Sequence, residues 1–294
     1  MKNFSNYFKK EKWAILLLSG AFLLPSALLY AGSIKDVSQS VKQVQSVRSP
    51  FQFVIVGDSR DGEKVYTQLM KTAVERKPQF LIHLGDMIPS PHEREWQAFF
   101  EISKQINLPF FPVVGNHDVG TNKKGVEMYR RQFFLPEEKT YYAFRAGRIL
   151  FVILDSEEWK GRIMNEQRSW LEDTLSSSQE TFKFVFLHRP LFPPKNSLKR
   201  GHALDKYPVE RDDLHQLFLK AGVKAVFAGD DHRYDRTKKD GILYLISGGG
   251  GAPLAAFRES GGYFHYVWIS VQKRKIEGEV IDLEGEVQDR FVIE

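Results

Sequence analysis

An alternation running from residue 51 to residue 228 constrains this chain most. Short apolar, β-rich runs (51–56, 80–84, 110–114, 149–154, 182–187, 225–228) take turns with helix-like segments (63–76, 93–105, 125–134, 166–175, 210–219). A continuously apolar strand has no face left for water, so it needs cover on both sides, and amphipathic helices between such strands supply it. The alternation predicts an α/β domain. The C-terminal part has a different rhythm. Residues 242–247, 263–271, 275–282 and 290–293 read as consecutive strands with short turns at Lys273-Arg274 and Glu284-Gly285. They predict an antiparallel region appended to the sheet. With no internal repeat and no second linker, residues 48–294 form one domain.

Before that domain, Lys2, Lys9, Lys10 and Lys12 precede an apolar run from Trp13 to Tyr30. Basic residues followed by an apolar stretch read as a signal peptide or a signal anchor over residues 1–31. The lysines favour a cytoplasmic N-terminus with the rest of the chain outside, secreted, periplasmic or held at the outer face of the membrane. Residues 32–47 are polar, rich in Ser, Gln, Val and Lys, and read as a stalk. The net charge of +5, from 42 basic and 37 acidic residues, is a mild excess, and no basic–aromatic stripe accompanies it, so nucleic-acid binding is not expected. The absence of cysteine excludes disulfides, thiolate metal ligands and a cysteine nucleophile.

Five short sequences each follow an apolar run: GDSR at 57–60, HLGD at 83–86, GNHD at 115–118, LHRP at 187–190 and GDDH at 229–232. They supply Asp58, Asp86, Asn116, His188, Asp230 and His232 from the ends of five strands. In an open α/β sheet ligands bind outside the carboxyl ends of the strands, where such residues can converge. Charged groups there are costly unless paired or coordinated, and this mixture of oxygen and imidazole donors suits divalent cations. Two ions roughly 3.5–4 Å apart need a bridging carboxylate, for which Asp86 is placed. Glycines before Asp58, Asp86, Asn116 and Asp230 let the backbone turn sharply and approach the ions. The plainer use of Asp and Asn after a strand is to cap the next helix; that use would need five coincidences. His83 reads as a hydrogen-bond partner behind the site or a core histidine. Arg189 reads as steadying the HRP turn or touching substrate, and Tyr234 as lining the pocket or packing at the surface. The loop 192–208, with Lys195, Lys199, Arg200 and Lys206, either contacts substrate or is a solvated insertion.

The order GD, GD, GNHD, H-x-P, G-x-x-H resembles the calcineurin-like metallophosphoesterase superfamily. FAGDDHRYDR at 227–236, LISGGGGAPL at 245–254 and HRPLF at 188–192 are similar to its purple-acid-phosphatase-like branch. The resemblance covers residues 51–270. It implies a four-layer α/β/β/α sandwich and a dinuclear site for two divalent ions, Mn, Fe, Zn or Mg. One ion (A) would take Asp58, Asp86 and His232. The other (B) would take Asp86, Asn116, His188 and Asp230. His117 would face the scissile ester oxygen as donor or general acid, with Asp118 orienting it, while an ion-activated water attacks phosphorus in line. The implied activity is hydrolysis of phosphomonoesters or phosphodiesters.

Two departures qualify that expectation. The family's D-x-H is Asp58-Ser59-Arg60 here, and an arginine, always protonated, cannot ligate a metal. Ion A is left a nitrogen ligand short unless Asp61 or water substitutes. Arg60 would suit bidentate phosphate binding; an ion pair with Asp58 or Asp61, or a degenerate site, are the alternatives. The family's G-H-x-H is Gly229-Asp230-Asp231-His232, so an anionic oxygen replaces an imidazole and favours harder ions. Pro89 stands where the iron-binding branch has a tyrosine. These departures motivate a rival from another class, a catalytically weak phosphate-ligand-binding or scaffold protein on the same fold.

Overall fold

In the computed structural model, residues 34–294 are described. The hydrophobic N-terminal segment expected as a signal peptide or anchor lies outside them, and among the described residues no helix is long and apolar enough to cross a membrane. In chain order the elements are α1 (Val37–Val44), β1 (Phe51–Val56), α2 (Glu63–Glu75), β2 (Phe80–His83), α3 (Glu93–Ile102), β3 (Phe110–Pro112), α4 (Asn116–Val119), α5 (Lys123–Gln132), β4 (Tyr142–Ala146), β5 (Ile149–Ile153), α6 (Asn165–Ser177), β6 (Phe182–Leu187), α7 (Pro208–Ala221), β7 (Ala225–Ala228), β8 (Tyr234–Lys239), β9 (Ile242–Ser247), β10 (His265–Val271), β11 (Ile276–Asp282) and β12 (Val287–Ile293).

The strands form two six-stranded sheets, ordered β12-β11-β10-β1-β2-β3 and β4-β5-β6-β7-β9-β8. Parallel pairing joins β1, β2 and β3 in the first sheet and β5, β6, β7 and β9 in the second. The inner faces of the sheets meet through aromatic side chains. Phe53 packs edge-on against Phe151 at 5.3 Å between ring centroids, Phe80 against Phe144 at 5.9 Å, and Phe111 stacks on Phe144 at 3.8 Å. Such pairs add about 0.5–1.5 kcal/mol each beyond their buried area and fix one sheet's position on the other.

Helices cover the outer faces. On α2, Tyr66, Leu69, Met70 and Ala73 fall at helical spacing and are buried, with Tyr66 stacked on Phe99 of α3 and packed edge-on to His83 of β2. On the far side, Leu171 and Leu175 of α6 and Leu214 and Phe218 of α7 share a separate apolar cluster with Leu150, Val185 and Val226 of the second sheet. Helix α7 starts on Pro208, whose missing N–H costs nothing there, and stops at Gly222 in the left-handed conformation.

Three sequence expectations are corrected. Residues 37–44, expected within a stalk, form a helix capped by Asp36, with Val37, Ser40 and Val44 buried. Its Ser40 Oγ accepts the Phe110 N–H at 3.2 Å, so a mostly polar segment is held by one valine stripe and one buried hydroxyl. Residues 242–247, expected in the antiparallel run, lie parallel to β7 in the second sheet; only β10, β11 and β12 form that run. Strands β4 and β8 were not expected at all. Both are sheet edges with one solvated side, and their polar residues dilute the apolar signal.

Candidate metal centre

The five motifs leave their strands at one end. Asp58 follows β1, Asp86 follows β2 and Asn116 follows β3 in the first sheet; His188 follows β6 and Asp230 and His232 follow β7 in the second. Three of these residues adopt a conformation that non-glycine residues avoid: φ is +60° at Asp58, +55° at Asp86 and +65° at Asp230. That backbone costs roughly 1–2 kcal/mol per residue, less for aspartate, and it turns each carboxylate back over the strand end. The glycine before Asp86 is needed for the same approach. Gly85 has φ +93°, and a Cβ there would lie 2.8 Å from the Gly115 nitrogen and 2.9 Å from His188 Nδ1.

Asp58, Asp86 and His232 each offer an atom within 4.8 Å of the others. The His232 ring is set by the Pro253 carbonyl, which accepts from Nδ1 at 2.8 Å. That leaves Nε2 as the lone-pair nitrogen, buried, without a hydrogen-bond partner and 3.6 Å from Asp58 Oδ1. A buried orphan acceptor beside two buried carboxylates is the environment a cation satisfies. Burial pushes the His232 imidazole below its ordinary range, toward its neutral, ligating form. Burial also raises the Asp58 carboxyl well above its ordinary range; Asp86 and Asp230 add to the rise, and His188 opposes it.

His188 defines the second half. Its Nδ1 donates to the Leu84 carbonyl at 2.8 Å. Its Nε2 faces three oxygens: Asn116 Oδ1 at 3.2 Å, Asp86 Oδ1 at 3.3 Å and Asp230 Oδ1 at 3.7 Å. These separations match the edges of a ligand shell whose bonds are about 2.0–2.2 Å. Burial alone would lower the His188 pKa, but Asp86, Asp58 and Asp230 outweigh it and raise it to about 9. Both halves therefore fit divalent cations: inward-facing imidazole nitrogens, buried carboxylates and Asp86 shared between them.

His117 lies on the turn α4. Its Nδ1 donates to the Pro89 carbonyl at 2.7 Å, and its Nε2 faces the cluster 3.9 Å from Asp86 Oδ2. The expectation that Asp118 orients this ring is corrected. Asp118 instead accepts the N–H groups of Gly115, Asp86, Met87 and Ile88, fixing the turn that presents Asp86. Arg60 bonds Asp61 through Nη1 at 2.5 Å, and its Nε, 3.5 Å from Asp86 Oδ2, has no hydrogen-bond partner. Asp61 thus faces Arg60. A cleft of about 550 Å³ opens beside Arg60, lined by Met87, Ile88, Pro89, Phe99 and Ile102 together with Asp61, Glu63, Lys64 and Glu95.

Sequence reasoning missed several residues around the cluster. Lys199, from the loop 192–208, places Nζ 2.6 Å from Asp230 Oδ1. The buried Glu157 takes Arg189 in a two-pronged pair at 2.7–2.9 Å, and Arg189 Nη1 also donates to the His202 carbonyl. Arg189 therefore ties that loop down. The readable signal for Lys199 was Asp230 itself, an extra acid in a buried motif, which requires a counter-cation. His83 bonds Ser59 Oγ at 3.0 Å behind the site, and burial together with the charge of His188 lowers its pKa to about 3. Tyr234 donates to Asp289 at 2.6 Å in a separate cavity of about 480 Å³. His215 and His265 bond Tyr244 and Ser247 within the body of the domain, while His92 and His202 lie outside the cluster.

Imidazoles and carboxylates brought together from the carboxyl ends of parallel strands in two facing sheets define an α/β protein with a candidate metal centre. The chain belongs to the calcineurin-like phosphoesterase family, whose model matches residues 51–234. It is similar to the serine/threonine-protein phosphatase CPPED1 of Homo sapiens, 26% identical over a 195-residue alignment that covers 60% of this chain and 62% of that protein. To its Danio rerio counterpart it is 29% identical over a 226-residue alignment that covers 67% of this chain and 69% of the relative. A plant relative from Arabidopsis thaliana, 24% identical over 278 residues and covered to 45% of its length, is named "Probable inactive purple acid phosphatase 1". The match thus spans less than two thirds of the human relative. The purple acid phosphatase PPD1 from yellow lupin (Lupinus luteus) has the same fold, with a TM-score of 0.72 and 22% identity over 84% of this chain and 54% of that one.

Proposed function

We propose that the protein is a metal-dependent phosphoesterase that hydrolyses phosphomonoesters or phosphodiesters at this cluster. One observation carries the reading: the inner nitrogens of His232 and His188 are both turned by backbone carbonyls onto the buried carboxylates Asp58, Asp86 and Asp230. Asp58, Asp86 and His232 would hold one divalent ion, and Asp86, Asn116, His188 and Asp230 a second. When bound, such ions supply Lewis acidity toward a phosphoryl oxygen and acidify water toward neutral pH.

The remaining work falls to the chain's own groups. Arg60, with Nε unpartnered, offers its fork to phosphoryl oxygens. His117 has committed Nδ1 as a donor to Pro89, so its Nε2 carries a proton only as imidazolium. In that form it donates to the leaving-group oxygen as the ester bond breaks. The cleft beside Arg60, where Met87, Ile88 and Phe99 face Asp61, Glu63, Lys64 and Glu95, gives the leaving group a place to lie. The phosphatase names of the relatives make phosphoserine and phosphothreonine peptides natural test substrates.

The second reading is a phosphate-binding protein with little turnover. The Lys199–Asp230 ion pair favours it, because a cation already sits on one ligand. The two separate in one experiment. The purified full chain with Mn²⁺ is expected to cleave p-nitrophenyl phosphate, its bis-ester or a phosphopeptide. Asp86→Ala is expected to lose roughly a thousandfold or more, since the shared carboxylate underlies several kcal/mol of stabilisation. A folded, metal-loaded protein that binds phosphate but turns over none of these esters would establish the second reading instead.

A further inference from the structure

We infer that Lys199 is a built-in cation for the second half of the centre, so that the native chain binds one divalent ion firmly and admits a second only by displacing the lysine. The inference rests on the metal-centre reading above and concerns how that centre is filled.

Three observations carry it. First, the ammonium lies 2.6 Å from Asp230 Oδ1, the same oxygen that faces His188 Nε2 at 3.7 Å. An ammonium there stands next to the position where Asn116, Asp86 and His188 converge, and two cations in that space repel. Second, Asp230 is completely buried, and its other oxygen has no hydrogen-bond partner. A neutral imidazole at position 230 would need no counter-charge, whereas a buried carboxylate does. The acid and the lysine are therefore a matched pair. Third, Lys199 is delivered by an anchored loop. Arg233, beside the ligand His232, holds the Asn196 side chain at 3.1 Å, and Arg189, beside the ligand His188, holds the His202 carbonyl at 2.9 Å. The lysine is thus clamped on both sides by arginines that neighbour metal ligands. Its side chain keeps 31% exposure, which leaves a path to solvent when it is displaced.

Among the described residues no cationic side chain pairs with Asp58 or His232: the Asp58 carboxylate accepts the Asp230 N–H, and His232 Nε2 is unpartnered, while the nearest guanidinium, Arg60, stands off at 3.5 Å from the shared Asp86. The ion held by Asp58, Asp86 and His232 is therefore the firm one.

The test is a Mn²⁺ titration of the full chain by calorimetry, with electron paramagnetic resonance on the loaded samples. The native protein is expected to bind one ion per chain and to show the spectrum of isolated manganese. Lys199→Met and Lys199→Gln are expected to tighten a second binding event at least tenfold and to produce a spin-coupled pair. Lys199→Arg, which keeps the charge, is expected to remain at one ion. Two ions of similar affinity in the native chain overturn the inference and leave the metal centre standing. So does a count of one in both neutral variants with their melting curves unchanged. A native chain and variants that bind no ion overturn the inference together with the metal-centre reading.

Discussion

The two halves of the centre share Asp86 but solve the same electrostatic problem differently. On one side Asp58 and His232 face each other across 3.6 Å, with the imidazole nitrogen unpartnered. On the other, His188 faces Asn116 and Asp230, and Lys199 already neutralises the Asp230 carboxylate. The difference traces to two positions. Arg60 stands where a nitrogen ligand was expected beside Asp58, which on sequence grounds alone would weaken the first half. Asp230 stands in place of an imidazole, and once folded it draws in a lysine that weakens the second. A change of one ligand thus matters through the charge it forces its neighbours to supply as much as through the bond it makes.

Removing an imidazole from each half breaks or supports this asymmetry most directly. His232→Ala is expected to cost the firm ion, lowering metal affinity roughly a hundredfold or more, beyond the 10–100-fold that follows loss of a supporting partner. His188→Ala is expected to leave one ion bound. Elemental analysis after gel filtration decides between them; equal losses in both variants would mean the halves are equivalent.

Arg60 gives a smaller expected effect. Arg60→Met is expected to raise KM for phosphoesters with metal content unchanged, by roughly 10–100-fold for loss of a bidentate phosphate contact. Loss of bound metal instead would assign Arg60 to holding Asp86 in place. Arg60→His, which restores the expected nitrogen ligand, is expected to tighten the first ion.

Acid and alkali sharpen the comparison least but from both directions. His83, behind the first half, has its pKa lowered to about 3 by burial and then by His188. The unfolded chain takes up that proton first, so stability falls as pH drops below about 6.5 toward 3. His188 has its pKa raised to about 9 in the ion-free protein, the surrounding carboxylates outweighing burial. Its contribution is fully present below about 6.5 and is lost as pH rises through 9. Melting temperatures of the EDTA-treated protein, His83→Gln and His188→Gln across pH 4–10 are expected to show the first variant flattening the acid limb and the second the alkaline one. Parallel curves for all three would refute both assignments.

Much of this was written in local sequence, and the exceptions have physical causes. Strands β1, β6, β7 and β9 coincide with their apolar runs because a strand buried on both faces must be apolar throughout. Helix α1 was hidden because Val37, Val41 and Val44 make a narrow stripe among Ser, Gln and Lys, and only the packing of this segment against the first sheet's β3 gives the stripe its value. Asp118 adjoins His117 in sequence, yet its carboxylate bonds four backbone N–H groups while the ring bonds the Pro89 carbonyl, since a buried acid must satisfy its oxygens with the donors the fold supplies. Lys199 was one of several basic residues in a loop, and no periodicity distinguishes the one that turns inward.

By itself the sequence determined the alternation of elements, and with it the place of every motif at a strand end, because burial on both faces and sharp glycine turns are local requirements. Only the tertiary structure decided which end of which sheet each motif meets. It also decided that Asp118 serves the backbone and that a loop lysine reaches Asp230. Those outcomes depend on where charges separated by tens of residues come to lie, and a buried carboxylate takes whichever donor or cation the fold brings within reach.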